Sequence, residues 1–233
     1  MGTIGESHRP LRDIVCDEIR TQIVSGQHPP GTHLVEDRLA KDLGVSRNPV
    51  REALRVLEAE GFVLMAPRRG AVVASPSDQD VREIFEVRTA LEAVAARLAA
   101  RKCSEDDARI FDDILARATR ALEAGDAVEL TALNTAFHGH VMIVAGNAYL
   151  KDIMLGMRAR MQWIFSQTAG SVRGQHSLDE HVRMASAITE GREEEAVALA
   201  VDHVSAAAQS YWEARARLAA EEDETEVAFE SAT

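Results

Sequence analysis

Val35 to Phe62 reads VEDRLAKDLGVSRNPVREALRVLEAEGF, two helical patterns divided at Gly44. Leu39, Ala40 and Leu43 recur at helical spacing before the glycine, and Val50, Leu54 and Leu57 recur after it, so each segment has one apolar face. The break is short. Gly44 can take the positive φ that ends the first helix, Ser46 suits the N-cap of the second, and Pro49 is tolerated in its first turn. Two helices joined by so tight a turn make a helix-turn-helix.

On the outer face of the second helix Arg47, Arg51 and Arg55 follow one another at i, i+4 and i+8, a positive ridge. Ser46 and Asn48 stand beside it at the helix start, the end by which recognition helices meet base edges. The plainer alternative is a solvated face whose arginines pair with Glu52, Glu58 and Glu60. The residues directly after the helix favour the first reading. FVLMAPRRGAVVA, from Phe62 to Ala74, places two short apolar runs around Arg68-Arg69-Gly70, the pattern of a hairpin with a cationic tip. A recognition helix succeeded by such a hairpin is a winged helix, whose glycine lets the tip approach DNA closely.

From Leu11 to Ala74 the chain resembles the DNA-binding domain of the GntR family of bacterial transcription regulators. The resemblance rests on Pro29-Pro30-Gly31, on LVEDRLAKDLGVSRNPVREALRVLEAEGF and on the later RRG. It implies DNA contacts from Ser46, Arg47, Asn48 and Arg51, with the wing tip at Arg69 and Gly70. One departure is Asp37, which stands where some members carry a DNA-contacting arginine.

The whole chain has 233 residues, 46% of them hydrophobic and only 4% aromatic, which suits two mainly α-helical domains. Its net charge of −12 opposes DNA binding until the charges are placed. Residues 1–75 hold ten basic and ten acidic side chains, and the rest holds 16 against 28, so all the excess acid lies outside the winged helix. A basic ridge on a neutral domain is enough for phosphate binding. Cys16 and Cys103 have no metal or disulfide spacing and read as reduced thiols. No apolar run approaches the ~20 residues of a membrane span and no signal core opens the chain, so a reducing cytoplasm is expected.

Four regions are expected: a disordered start at 1–8, the winged helix-turn-helix at 9–75, a helical bundle at 76–221 and an acidic tail at 222–233. In the first domain a helix from about Arg9 to Ser25 precedes the Pro-Pro-Gly turn, and His33 to Val35 can add a strand to the wing. The bundle should contain six antiparallel helices, near 78–101, 105–124, 126–145, 147–168, 177–190 and 193–221, with Gly125, Gly146, Gly170 and Gly191 at or near their ends.

Within the bundle, Leu130, Leu133, Phe137, Val141 and Val144 form the buried stripe of the third helix, and Asn134 and His138 flank it at i, i+4. His181 and His203 lie near the apolar stripes of the last two helices. Three imidazoles and an amide oxygen suit a borderline ion such as zinc or nickel, though histidines scattered in this way are also common as hydrogen-bonded core residues. Residues 78–221 resemble the FCD effector-binding domain of the FadR subfamily of GntR regulators. That resemblance implies a metal held by Asn134, His138, His181 and His203, with asparagine standing where the family usually has aspartate. His140 and His176 do not match its motif.

Arg88 falls on the same face as Ile84, Leu91, Val94, Ala95 and Leu98, and a buried cation needs a partner. Glu92 at i+4 is one candidate, and the carboxylate of an effector, which the resemblance favours, is the other. Trp163, Phe165, Tyr211 and Trp212 can line a pocket or pack the core. The expected protein is a homodimeric repressor that binds operator DNA, senses a small organic acid and is not an enzyme. The competing readings are a metal-dependent enzyme, against which the lack of a glutamate in HExxH-like spacing counts, and a constitutive DNA-binding protein.

Overall fold

The computed structural model describes residues 9–66, 70–166 and 174–231, so the expectations for residues 1–8, for Arg68 and Arg69 and for Gly170 concern positions outside the described residues. Its elements, in chain order, are α1 (Leu11–Val24), β1 (His33–Leu34), α2 (Glu36–Asp42), α3 (Arg47–Ala59), β2 (Val63–Ala66), β3 (Gly70–Val73), α4 (Asp78–Lys102), α5 (Glu105–Glu123), α6 (Ala127–Ala145), α7 (Ala148–Ser166), α8 (Gly174–Thr189) and α9 (Glu193–Ser231). The fold is mainly α. Two compact units divide the chain, Met1–Asp78 with Ala159–Ser166, and Gln79–Arg158 with Gln167–Thr233.

In the first unit α1, α2 and α3 pack around Ile19, Ile23, Val50, Leu54 and Leu57, each almost wholly buried. Burying a side chain of this size contributes about 1.5–3 kcal/mol, so this cluster outweighs any single polar contact at the surface. Gly44 ends α2 with φ of 65°, the left-handed backbone that α2 needs in order to turn directly into α3. Ser46 occupies the N-cap of α3, but its hydroxyl makes no capping bond. The three strands form one antiparallel sheet in the order β1-β3-β2, with His33 opposite Val72 and Met65 opposite Ala71. Gly70 opens β3 at φ of 79°, and a Cβ there would sit 3.0 Å from the Leu34 carbonyl oxygen, so both backbone and space call for glycine. Trp163, from the last turns of α7, completes this core against Phe62 with ring centroids 5.3 Å apart. Cys16 lies buried beside α3, and loss of solvent pushes its thiol up to about 11.

The second unit is a helical bundle whose core is rich in alanine: Ala95, Ala96, Ala99 and Ala100 of α4 face Phe111, Phe137, Val141 and Ile188. Alanine lets helices approach closely, which explains how a chain so poor in aromatics fills its core. This also corrects one expectation. Val94 is 47% exposed, because the buried stripe of α4 follows Val81, Phe85, Glu92 and the alanine pairs. Ser104 caps α5, its hydroxyl accepting from the Asp107 amide while the Asp107 carboxylate accepts from the Ser104 amide. α9 continues to Ser231, past the point near Glu221 where a tail was expected to begin.

Candidate DNA-reading surface and histidine centre

On the winged helix, Arg47 and Arg51 project from the exposed side of α3 with side chains 67% and 49% exposed, and Arg55 is exposed one turn further on. Their partners are not the glutamates of their own helix. Arg51 donates to Glu36 through Nε and Nη2, the latter at 2.9 Å, and Arg47 pairs with Asp37, so two residues of α2 hold the ridge in place. Glu60 forks Arg20 of α1 instead. Ser46 and Asn48 are exposed beside the ridge, and Gly70 is at the wing. Asp37 therefore places an acid on the first arginine of the ridge.

In the bundle, α6, α8 and α9 bring His138, His181 and His203 together, with one ring nitrogen of each within 4.8 Å of the others. Ring centroids lie 5.0, 5.0 and 4.8 Å apart, and Phe137 stacks on His181 at 4.1 Å. The Nε2 atoms of His138 and His181 are sealed from solvent with no hydrogen-bond partner. A buried polar atom left so costs about 1–3 kcal/mol, a cost that a ligand for the lone pair removes. Three neutral imidazoles are a fitting donor set for a borderline divalent ion. Asn134, one turn before His138 on α6, is exposed.

Two carboxylates, Glu92 buried and Glu180 partly exposed, flank the rings, and sequence reasoning gave neither a role there. Glu92, 5% exposed, accepts from Arg88 Nε at 2.6 Å and places its other oxygen 3.5 Å from His138 Nδ1. Glu180 approaches His203 Nδ1 at 2.7 Å. The local signal for the first was the i+4 spacing from Arg88; the only hint of the second was an acid next to a candidate ligand. Arg88 is 12% exposed and so points inward as expected. His140 is a core residue, its Nε2 3.0 Å from the Asp107 carbonyl oxygen, while His176 is exposed. Tyr211 packs on Phe85, and the Arg82 guanidinium lies over the Trp212 ring.

Burial holds His138 well below the ordinary imidazole value of 6.5, helped by the neighbouring His203 and Arg88. Burial likewise depresses His181, followed by His138 and His203. Both rings are neutral when folded and take up protons on unfolding, so the stability they carry is complete above pH 6.5 and lost as pH falls from there towards the folded values. Melting curves of chelator-treated protein should therefore fall below about pH 6.5, by up to about 1.4 kcal/mol per pH unit for each ring. His181→Ala should make that fall shallower; an unchanged slope would refute the assignment.

Residues 11–73 match the model of the bacterial regulatory proteins of the gntR family, and residues 83–206 match the FCD domain. The chain belongs to the GntR family. YdhC, an HTH-type transcriptional regulator of Bacillus subtilis (strain 168), is 30% identical to it over 183 residues, 77% of this chain and 81% of its own. The gluconate operon transcriptional repressor of Bacillus licheniformis is 31% identical over 160 residues, 64% of this chain and 65% of its own. Among solved structures, E. coli McbR/YncC has the same fold, with a TM-score of 0.73 at 20% identity over 88% of this chain and 99% of that one. This GntR protein is a DNA-binding transcriptional regulator with an FCD effector domain, not an enzyme. No described helix is long and apolar enough to cross a membrane.

Proposed function

We propose that this GntR regulator is a cytoplasmic, homodimeric repressor whose winged helix, taken as 9–75, reads an operator while its effector domain, taken as 76–221, senses a small organic acid. Three relatives bear the names of operon repressors, one of them as probable, which supports repression as the mode. The observation that carries the sensing half is the sealed, unpartnered pair of Nε2 atoms on His138 and His181 beside His203. These three rings would hold zinc or nickel, with Asn134 the fourth donor implied by the family pattern. A bound ion of this kind supplies a Lewis-acidic seat for a carboxylate oxygen. Arg88 has five N–H donors, of which Nε is engaged by Glu92, so its fork can take the acid's second oxygen. Effector binding would then favour one placement of the two winged helices over another, by as much as its affinity differs between them.

Arg47, Arg51, Ser46 and Asn48, with Arg69 and Gly70 at the wing, make up the proposed reading surface. On this reading Arg51→Ala weakens operator binding by about 1–3 kcal/mol and weakens non-specific binding less. A mobility-shift titration checks it, and an unchanged midpoint rejects Arg51 as a base reader. The sensing half is tested by thermal-shift titration with small carboxylates, with and without zinc, and then by release of operator DNA. A set of acids that neither raises the melting temperature nor releases DNA rejects it.

A further inference from the structure

The three rings of the histidine centre are not held alike. His203 Nδ1 lies 2.7 Å from Glu180 Oε2, a full hydrogen bond to a carboxylate, whereas His138 Nδ1 lies 3.5 Å from a Glu92 already bonded to Arg88. A carboxylate accepts only, so the His203 Nδ1 beside it is the nitrogen that carries hydrogen. A neutral imidazole has one N–H, so its Nε2 then presents a lone pair. Glu180 precedes His181 on α8, while His203 belongs to α9. One turn of α8 therefore supplies one ring of the triad and the group that orients another.

Charge points the same way. Three imidazoles and Asn134 offer a divalent ion no anionic ligand, because the usual aspartate of the FCD pattern is absent. Glu92 is largely neutralised by Arg88 at 2.6 Å. Glu180 sits directly on the His203 ring, with its side chain 24% exposed on the wall of a groove of about 460 Å³ between α8 and α9. At 2.7 Å against 3.5 Å for Glu92, it is the carboxylate better placed to polarise a metal-bound imidazole.

Resting on the reading of the triad as a metal site, we infer that Glu180 is the positioning residue of that site. It fixes the tautomer of His203, aims its Nε2 at the ion and supplies through the ring the negative charge that Asn134 does not. Outer-shell carboxylates of this kind change metal affinity by about 10–100-fold when removed.

The experiment uses the full chain, stripped with chelator. Zinc affinity is measured by competition with a chromophoric chelator, the cobalt(II)-loaded protein gives a visible absorption spectrum, and the metal-free protein gives a melting temperature. Glu180→Gln and Glu180→Ala are compared with Asp179→Asn, which alters an exposed acid on the same groove. We expect both Glu180 variants to bind zinc about 10–100-fold more weakly and to shift the cobalt bands, with the metal-free melting temperature held in Glu180→Gln, whose amide oxygen still accepts from His203, and the Asp179→Asn protein unchanged. Should the unaltered protein bind no zinc, the metal reading falls and this inference with it. If it binds zinc and the Glu180 variants bind as tightly as Asp179→Asn, the inference alone is overturned. Weaker binding with an unchanged cobalt spectrum and a lowered metal-free melting temperature overturns it too, since Glu180 would then be a packing contact.

Discussion

Glu92→Ala is expected to lower the stability of the helical unit by about 3–5 kcal/mol, the cost of leaving one member of a buried ion pair unneutralised. The Arg88 side chain is only 12% exposed, and its Nε is bonded to Glu92, itself 5% exposed, at 2.6 Å. Without the carboxylate the guanidinium must stay charged in a place poorly reached by water, since arginine does not release its proton. Urea unfolding of chelator-treated protein gives the difference directly. The double variant Arg88→Met with Glu92→Leu should recover most of the loss, because well-packed apolar residues replace buried ion pairs at little or no cost. A single-variant effect below about 1 kcal/mol would mean that the pair is hydrated and behaves as a surface contact. The double variant serves a second purpose: on the proposed reading it folds but no longer responds to carboxylates.

His181→Ala is expected to remove bound metal, weakening affinity by roughly 100-fold or more, beyond the range produced by an outer-shell partner. The ring is one of three whose nitrogens lie within 4.8 Å of one another, and Phe137 stacked at 4.1 Å keeps it turned towards them. Elemental analysis after dialysis against zinc or nickel is the measurement. Alanine also leaves a void beside Phe137, so His181→Asn, which fills more of the space, should be run alongside it. Metal content unchanged in both variants would show that any ion sits elsewhere.

How far the residues disclosed these features depended on distance along the chain. Gly44, Ser46 and Pro49 are local signals, and they stand just past α2, at the N-cap of α3 and in its first turn. The Arg88 to Glu92 pair was legible for the same reason, being one helical turn apart. The grip of Glu36 on Arg51 spans 15 residues, and that of Glu180 on His203 spans 23. No periodicity encodes such pairs, because they exist only once two helices have packed. Val94 was misplaced for another reason. Alanine counts for little in an apolar stripe, so in α4 the larger Val94 was placed on the inner face beside Ala95, whereas Ala95, Ala96, Ala99 and Ala100 are the residues packed inside. Trp163 is the farthest case: an aromatic late in α7 fills the core around Phe62, and nothing near either residue in sequence couples them.

The carboxylates gripping the ridge also bear on ionic strength. A regulator whose cations are free in solution gains entropy on binding as each one expels condensed sodium from the duplex. Arg47 and Arg51 already have counter-anions built into α2, so on the proposed reading engaging a phosphate frees Asp37 and Glu36 to gather sodium of their own beside a polyanion. Part of the counterion release is cancelled, and operator occupancy then varies less with salt than the number of arginines on α3 implies.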